Sequence, residues 1–117
     1  RDCLLSRGLG DVYKRQAKAL GIRIAVGTGT RTANATRILK EKGLIDYIDA
    51  LVTADDVTRH KPNPDTFLEA ARKLELKAED CLVFEDGQLG IKAALRGGFD
   101  CIEVKDNEMI NYFVCDR

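Results

Sequence analysis

Four short apolar runs, set between helical segments and polar loops, constrain this chain more than any other feature. Ile22-Arg23-Ile24-Ala25-Val26, Ala50-Leu51-Val52, Cys81-Leu82-Val83-Phe84 and Cys101-Ile102-Glu103-Val104 are all of strand length. Helical periodicity lies between them. One helix is expected from Thr30 or Thr32 toward Lys42, with Ala35, Ile38 and Leu39 on one face. A second opens at Pro64, with Phe67, Leu68, Ala71 and Leu74 as its apolar stripe. A third runs from Leu89 to Arg96 with Ile91, Ala94 and Leu95 inward, and Gly21, Gly43 and Gly97-Gly98 supply stops. Alternation of this kind buries itself as parallel strands covered by helices, an α/β architecture. The unbroken apolar run Cys81–Phe84 fits a strand covered on both faces. Met109 to Val114 reads as a short helix or as a non-native tail.

A chain of 117 residues holds one small domain. Its 19 Lys and Arg balance 19 Asp and Glu, which argues against a basic nucleic-acid-binding face. No apolar run approaches the roughly 20 residues of a membrane-spanning helix, and no apolar core of a signal peptide stands at the N-terminus. The expected setting is cytoplasmic, with neither membrane nor nucleic acid as partner. Cys3, Cys81, Cys101 and Cys115 show no CxxC spacing and read as reduced, buried thiols. Without Trp, the core is expected to be aliphatic and rich in alanine.

Residues 1–16 stand apart. They hold no sustained period, and Ser6 to Gln16 resembles the in-frame translation of a transposase-type sequencing adapter. Asp11-Val12-Tyr13-Lys14-Arg15-Gln16, for example, reads back as GAT GTG TAT AAG AGA CAG. Residues 1–16 are therefore expected to be a non-native segment and residues 17–117 the partial core domain.

The chemistry collects where strands end. In an open parallel sheet the carboxyl ends of the strands emerge on one edge, and ligands bind there. Thr28 follows the first of the four runs, Lys61 lies in the polar loop after the second, and Glu85-Asp86 follow the third. Thr28 brings a hydroxyl, and Gly29 and Thr30 bring backbone N–H groups near a helix start, where anions are favoured. Lys61 adds a positive charge, and the two carboxylates are hard oxygen ligands suited to Mg²⁺. Together these types complement a phosphate accompanied by a divalent cation.

With their flanking residues they resemble the haloacid dehalogenase-like hydrolase superfamily, in the subfamily of β-phosphoglucomutase and fructose-1-phosphate phosphatase-like enzymes. Ile24-Ala25-Val26-Gly27-Thr28-Gly29-Thr30 matches the motif with a hydroxyl residue at a strand end. His60-Lys61-Pro62-Asn63-Pro64-Asp65-Thr66-Phe67 matches the lysine motif. Val83-Phe84-Glu85-Asp86-Gly87-Gln88-Leu89-Gly90-Ile91-Lys92-Ala93-Ala94 matches the acidic motif. The resemblance covers Ala17 to about Val104. It implies that Thr28 and the Gly29 N–H hold phosphoryl oxygens and that Lys61 neutralises the nucleophile and the phosphoryl group. It also implies that Asp86 ligates Mg²⁺ with Glu85 in support, and that the substrate is a small phosphorylated metabolite such as a sugar phosphate.

One departure is large. The family's nucleophile motif, two aspartates separated by one residue after a hydrophobic strand, has no counterpart: Asp46 and Asp49 are three apart, and Asp55-Asp56 are adjacent. The helical cap of the subfamily has no counterpart either. The expected fold is the C-terminal half of a Rossmann-like sheet flanked by helices, with the first strand and the cap missing. The strands ending near Thr28 and Glu85 would then show bare edges or pair directly. A chain so composed is expected to be inactive alone, and the alternative reading is a non-catalytic α/β binding or interaction module.

Overall fold

The computed structural model of the chain describes residues 3–6, 16, 18–106 and 108–116. Six strands form one sheet: β1 (Cys3–Ser6), β2 (Arg23–Gly27), β3 (Ala50–Val52), β4 (Cys81–Glu85), β5 (Asp100–Lys105) and β6 (Glu108–Phe113). Among the described residues, helices α1 (Thr32–Glu41), α2 (Asp65–Lys73) and α3 (Gln88–Arg96) accompany them. The strand order is β3-β2-β1-β4-β5-β6, parallel throughout except for β6, which runs antiparallel to β5. The expected α/β class and parallel sheet with flanking helices are present.

The expected bare edges are not. Cys3–Ser6 lies between β2 and β4 and pairs with both, Leu4 standing opposite Ile24 on one side and Leu82 on the other. The central slot of a parallel sheet demands partners for the N–H and C=O groups on both its sides. A short apolar segment, Cys3-Leu4-Leu5, meets that demand although the sequence pattern sets it outside the fold. Residues 7–15, the rest of the adapter-like run except Gln16, lie outside the described residues.

In strand β2, Ile24 to Gly27 are all buried, so both of its faces are covered. The main core joins Ala25, Val52, Cys81, Val83 and Cys101 of the strands to Phe67, Ala70 and Ala71 of α2 and Ile91, Ala93 and Ala94 of α3. It is aliphatic and alanine-rich, as expected, but built around an edge-to-face pair, Phe67 and Phe99, with ring centroids 6.1 Å apart. In α2 the inward stripe is Phe67, Ala70, Ala71 and Leu74, while Leu68 is exposed. In α3 Gly90, Ile91, Ala93 and Ala94 are buried and Leu95 only half-buried. Gly21, Gly43 and Gly98 do stop elements: all three adopt the positive φ that glycine tolerates best.

The tail forms a strand and not a helix. Its β-favouring residues pair with β5, and Asp100, itself buried, accepts hydrogen bonds from the Cys115 N–H at 3.0 Å and the Tyr112 hydroxyl at 3.3 Å. Asn111 donates from Nδ2 to Glu103 at 2.9 Å. The cysteines differ from expectation in one respect. Cys81 is disulfide-bonded, whereas Cys101 and Cys115 stay as buried thiols. Burial, helped by the charges of Glu85 and Glu103, pushes the Cys101 thiol up to about 12, so it is protonated and inert at neutral pH.

Helix α1 begins at Thr32 without a side-chain cap from its own N-cap residue, Arg31. Asp55, from the loop after β3, does that work: its carboxylate accepts the Thr32 N–H at 2.8 Å and Arg31 Nε at 2.9 Å. The Thr32 N–H and then Arg31 hold the Asp55 carboxyl down at about 2, against an ordinary 3.8. A carboxyl lowered on folding stabilises above its unfolded pKa and loses that contribution as pH falls through the folded value. Urea midpoints of the chain and of Asp55→Asn are therefore expected to differ at about pH 5 and to converge toward about pH 2. A difference that stays constant over that range would contradict the capping role.

Candidate functional site

The carboxyl ends of β1, β2 and β4 lie side by side because those strands are parallel neighbours. Just beyond this edge opens a cavity of about 500 Å³ lined by Gly29, His60, Lys61, Thr66, Glu85, Asp86 and the start of α3 from Gly87 to Gly90. Three of the quoted motifs thus reach one hollow.

Lys61 arrives from the loop before α2. A turn holds that loop, with Asn63 donating to the His60 carbonyl from both its backbone N–H, at 3.0 Å, and its Nδ2, at 3.1 Å. The Lys61 ammonium lies 2.8 Å from Glu85 Oε2 and 4.7 Å from the centroid of the Phe67 ring. Burial of this pair is deep, with Glu85 3% and Lys61 14% exposed. Glu85 Oε1 accepts the Asp86 N–H at 3.1 Å, so both carboxylate oxygens are engaged.

Asp86 is exposed, lines the cavity, and its carboxylate has no hydrogen-bond or ion-pair partner among the described residues. Gly29 is open to solvent on the same hollow. Thr28 is half-buried beside it and does not line the cavity. Its Oγ1 accepts the Thr30 N–H at 3.1 Å, a short turn that sets the course of the loop carrying Gly29. The Thr28 N–H is itself fixed to the Val52 carbonyl at 2.9 Å. The structure therefore brings Gly29, Lys61, Glu85 and Asp86 onto one cavity and leaves Thr28 at its margin.

Thr66, Gln88, Leu89 and Gly90 also line the hollow, and sequence reasoning did not single them out. No sequence signal points to Thr66, which the fold brings against Gly27. A Cβ on Gly27 would stand 2.8 Å from Thr66 Cγ2, so this strand-end glycine marks where the start of α2 presses on β2.

A magnesium ion commonly takes one or two protein carboxylates and completes its shell with phosphate oxygens and water. Asp86 fits one position in such a shell. Each Glu85 oxygen already accepts one hydrogen bond, and no three His, Cys, Asp or Glu side chains gather as a metal site among the described residues. The donor set is thus one open carboxylate, with an ammonium and backbone N–H groups suited to a phosphate beside it.

Comparison with known proteins agrees with this geometry. The haloacid dehalogenase-like hydrolase family profile matches residues 8–98. Fructose-1-phosphate phosphatase YqaB of Escherichia coli is 46% identical over 82 residues, which is 70% of this chain and 44% of that protein. The crystal structure of CbbY from Rhodobacter sphaeroides in complex with phosphate superimposes with a TM-score of 0.73 at 32% identity, covering 77% of this chain and 41% of that one. β-Phosphoglucomutase from Clostridium difficile gives a TM-score of 0.74 at 25% identity over 82% of this chain and 42% of its own. The chain spans less than half the length of these relatives. A family match over most of the sequence, with three motifs meeting at one sheet edge, makes this chain a member of the haloacid dehalogenase-like hydrolase family, akin to its phosphatases and phosphomutases.

Proposed function

We propose that the cavity at the sheet edge binds the phosphate of a small phosphorylated metabolite such as a sugar phosphate, in a Mg²⁺-dependent phosphatase or phosphomutase. The observation that supports this most is the Lys61 ammonium held at 2.8 Å from a buried carboxylate on the wall of that cavity. In this reading Lys61 and the Gly29 N–H take the phosphoryl oxygens and Thr28 shapes the loop that presents Gly29. Asp86 faces the metal with Glu85 behind it. When bound, Mg²⁺ would neutralise phosphoryl charge, and the chain's own groups position and screen the phosphate. Residues 17–117 carry this partial core. The adapter-like residues 1–16 contribute a surrogate strand, Cys3–Ser6, without the chemistry of the family's first strand, since Arg7-Gly8-Leu9-Gly10 follow it. The proposed setting is cytoplasmic; among the described residues no helix is long and apolar enough to cross a membrane.

Phosphoryl transfer in this family needs an aspartate nucleophile, and the 117 residues hold no pair of aspartates separated by one residue. The chain by itself is therefore expected to bind orthophosphate but not to turn over a generic aryl phosphate in the presence of Mg²⁺. Release of the aryl alcohol that disappears in Asp86→Ala would overturn the expected inactivity. Orthophosphate binding indifferent to position 61 would overturn the assignment of the cavity.

A further inference from the structure

The two edges of the sheet differ. At one stands β3, three residues long, whose Leu51 carbonyl accepts a hydrogen bond from Lys73 Nζ at 2.8 Å. A short strand covered by a lysine is a poor template for another chain. At the other edge β6 runs for six residues and, among the described residues, pairs with β5 alone. The outward N–H and C=O groups of such a strand are a ready ladder for a further one. From Met109 to Val114 the sequence holds no charge and no proline, the usual protections of an edge. Met109, Ile110, Tyr112 and Val114 are instead 51%, 46%, 54% and 66% exposed. Ile110 stands opposite no residue of β5, because the register shifts there. It joins Ile102, Met109, Asn111 and Tyr112 around a groove of about 340 Å³. Through Ile102 this groove continues the smaller apolar cluster of Phe84, Val104 and Leu82.

We propose that the outer edge of β6 pairs antiparallel with β6 of a second copy of this chain, so that one sheet runs through a two-fold dimer. An open backbone ladder asks for an extended strand, and exposed aromatic and β-branched side chains pair well with their own kind across strands. The uncharged stretch 109–114 offers nothing to select a charged partner, whereas its apolar side chains match themselves. Charge selects the antiparallel sense. Glu108 is the one charged residue of β6. Parallel pairing would set two Glu108 carboxylates side by side, and antiparallel pairing moves them to opposite ends of the ladder. With 19 basic and 19 acidic residues, two copies carry no overall repulsion. The contact is self-complementary and uses the one long open edge of each copy, so assembly closes at two. A ladder of this length is a small interface, below about 1,200 Å², and the dimer is accordingly weak.

Sedimentation velocity of the whole 117-residue chain is expected to show monomer at about 1 μM and mostly dimer at about 1 mM. Ile110→Lys and Val114→Lys each put a charge on the edge and are expected to weaken the dimer about tenfold or more. Should one of them fail to fold, the other decides. Leu68→Lys, at an exposed leucine of α2, is expected to leave the dimer unchanged. In a mixture of labelled and unlabelled chains, isotope-filtered NOEs should join the start of one β6 to the end of the other. A monomer at every concentration would overturn the proposal, as would a dimer indifferent to both edge lysines or equally weakened by Leu68→Lys. Growth beyond two copies, or NOEs between like residues, would overturn the closed antiparallel arrangement. The last arm adds a synthetic peptide of alternating threonine and valine. If it shifts the β6 amides of a chain that stays monomeric, the edge belongs to a foreign strand and self-pairing is overturned.

Discussion

Lys61→Met is expected to lower the stability of the chain by about 3 kcal/mol, seen as a urea midpoint reduced by about 1.5 M. The size follows from what the substitution leaves behind. Glu85 is 3% exposed, and its Oε2 depends on the Lys61 ammonium at 2.8 Å. Without that charge the carboxylate must stay buried and unpaired, take up a proton, or drag the end of β4 into water. Losing one partner of a buried pair typically costs more than losing both. Lys61→Met/Glu85→Gln should therefore recover a large part of the lost stability, because the glutamine can still accept the Asp86 N–H and carries no charge. A double variant less stable than Lys61→Met would show that the pair is not what places these residues.

The second large effect concerns Phe67, which is fully buried at the junction of α2, α3 and the sheet. Phe67→Ala should cost about 3–5 kcal/mol, since it empties the position facing Phe99 and the surroundings collapse only in part. For a domain whose whole stability is about 5–15 kcal/mol, that is a major fraction. Phe67→Leu should cost less, because it refills most of the volume, yet it removes the ring beneath the Lys61 ammonium. Comparing the two separates packing from support of the cation. Denaturant titration gives the first, and orthophosphate affinity of the folded Phe67→Leu chain gives the second, which is expected to fall. An unchanged affinity would assign Phe67 to the core alone.

Much of this arrangement is legible in the residues. The runs 22–26, 50–52, 81–84 and 101–104 coincide with strands to within a residue or two, because their length and apolar content leave few alternatives. The convergence of Gly29, Lys61, Glu85 and Asp86 follows from parallel topology, which turns separated strand ends into neighbours. The misses have physical causes. Cys3–Ser6 carries no periodic signal and enters the sheet because the central slot offers hydrogen bonds on both sides, a tertiary fact. Met109–Val114 looks ambiguous because β6 is an edge strand with exposed Met109, Ile110 and Tyr112, so burial does not impose alternation on it. The cap of α1 comes from Asp55, more than twenty residues beyond the helix start, and no local cap pattern reveals it. Glu85 and Asp86 look interchangeable in sequence. Only the fold shows that one is buried under Lys61 and the other faces water.

The proposed function requires a phosphate to be held at the edge where β2 and β4 end. Titration of the chain with orthophosphate, followed residue by residue through backbone amide NMR, tests this most directly. Shifts are expected to concentrate at Gly29, Lys61, Asp86 and Gly87 and to disappear in the charge-matched Lys61→Met/Glu85→Gln chain. Shifts centred elsewhere in the sheet, or an equal response in that double variant, would contradict it.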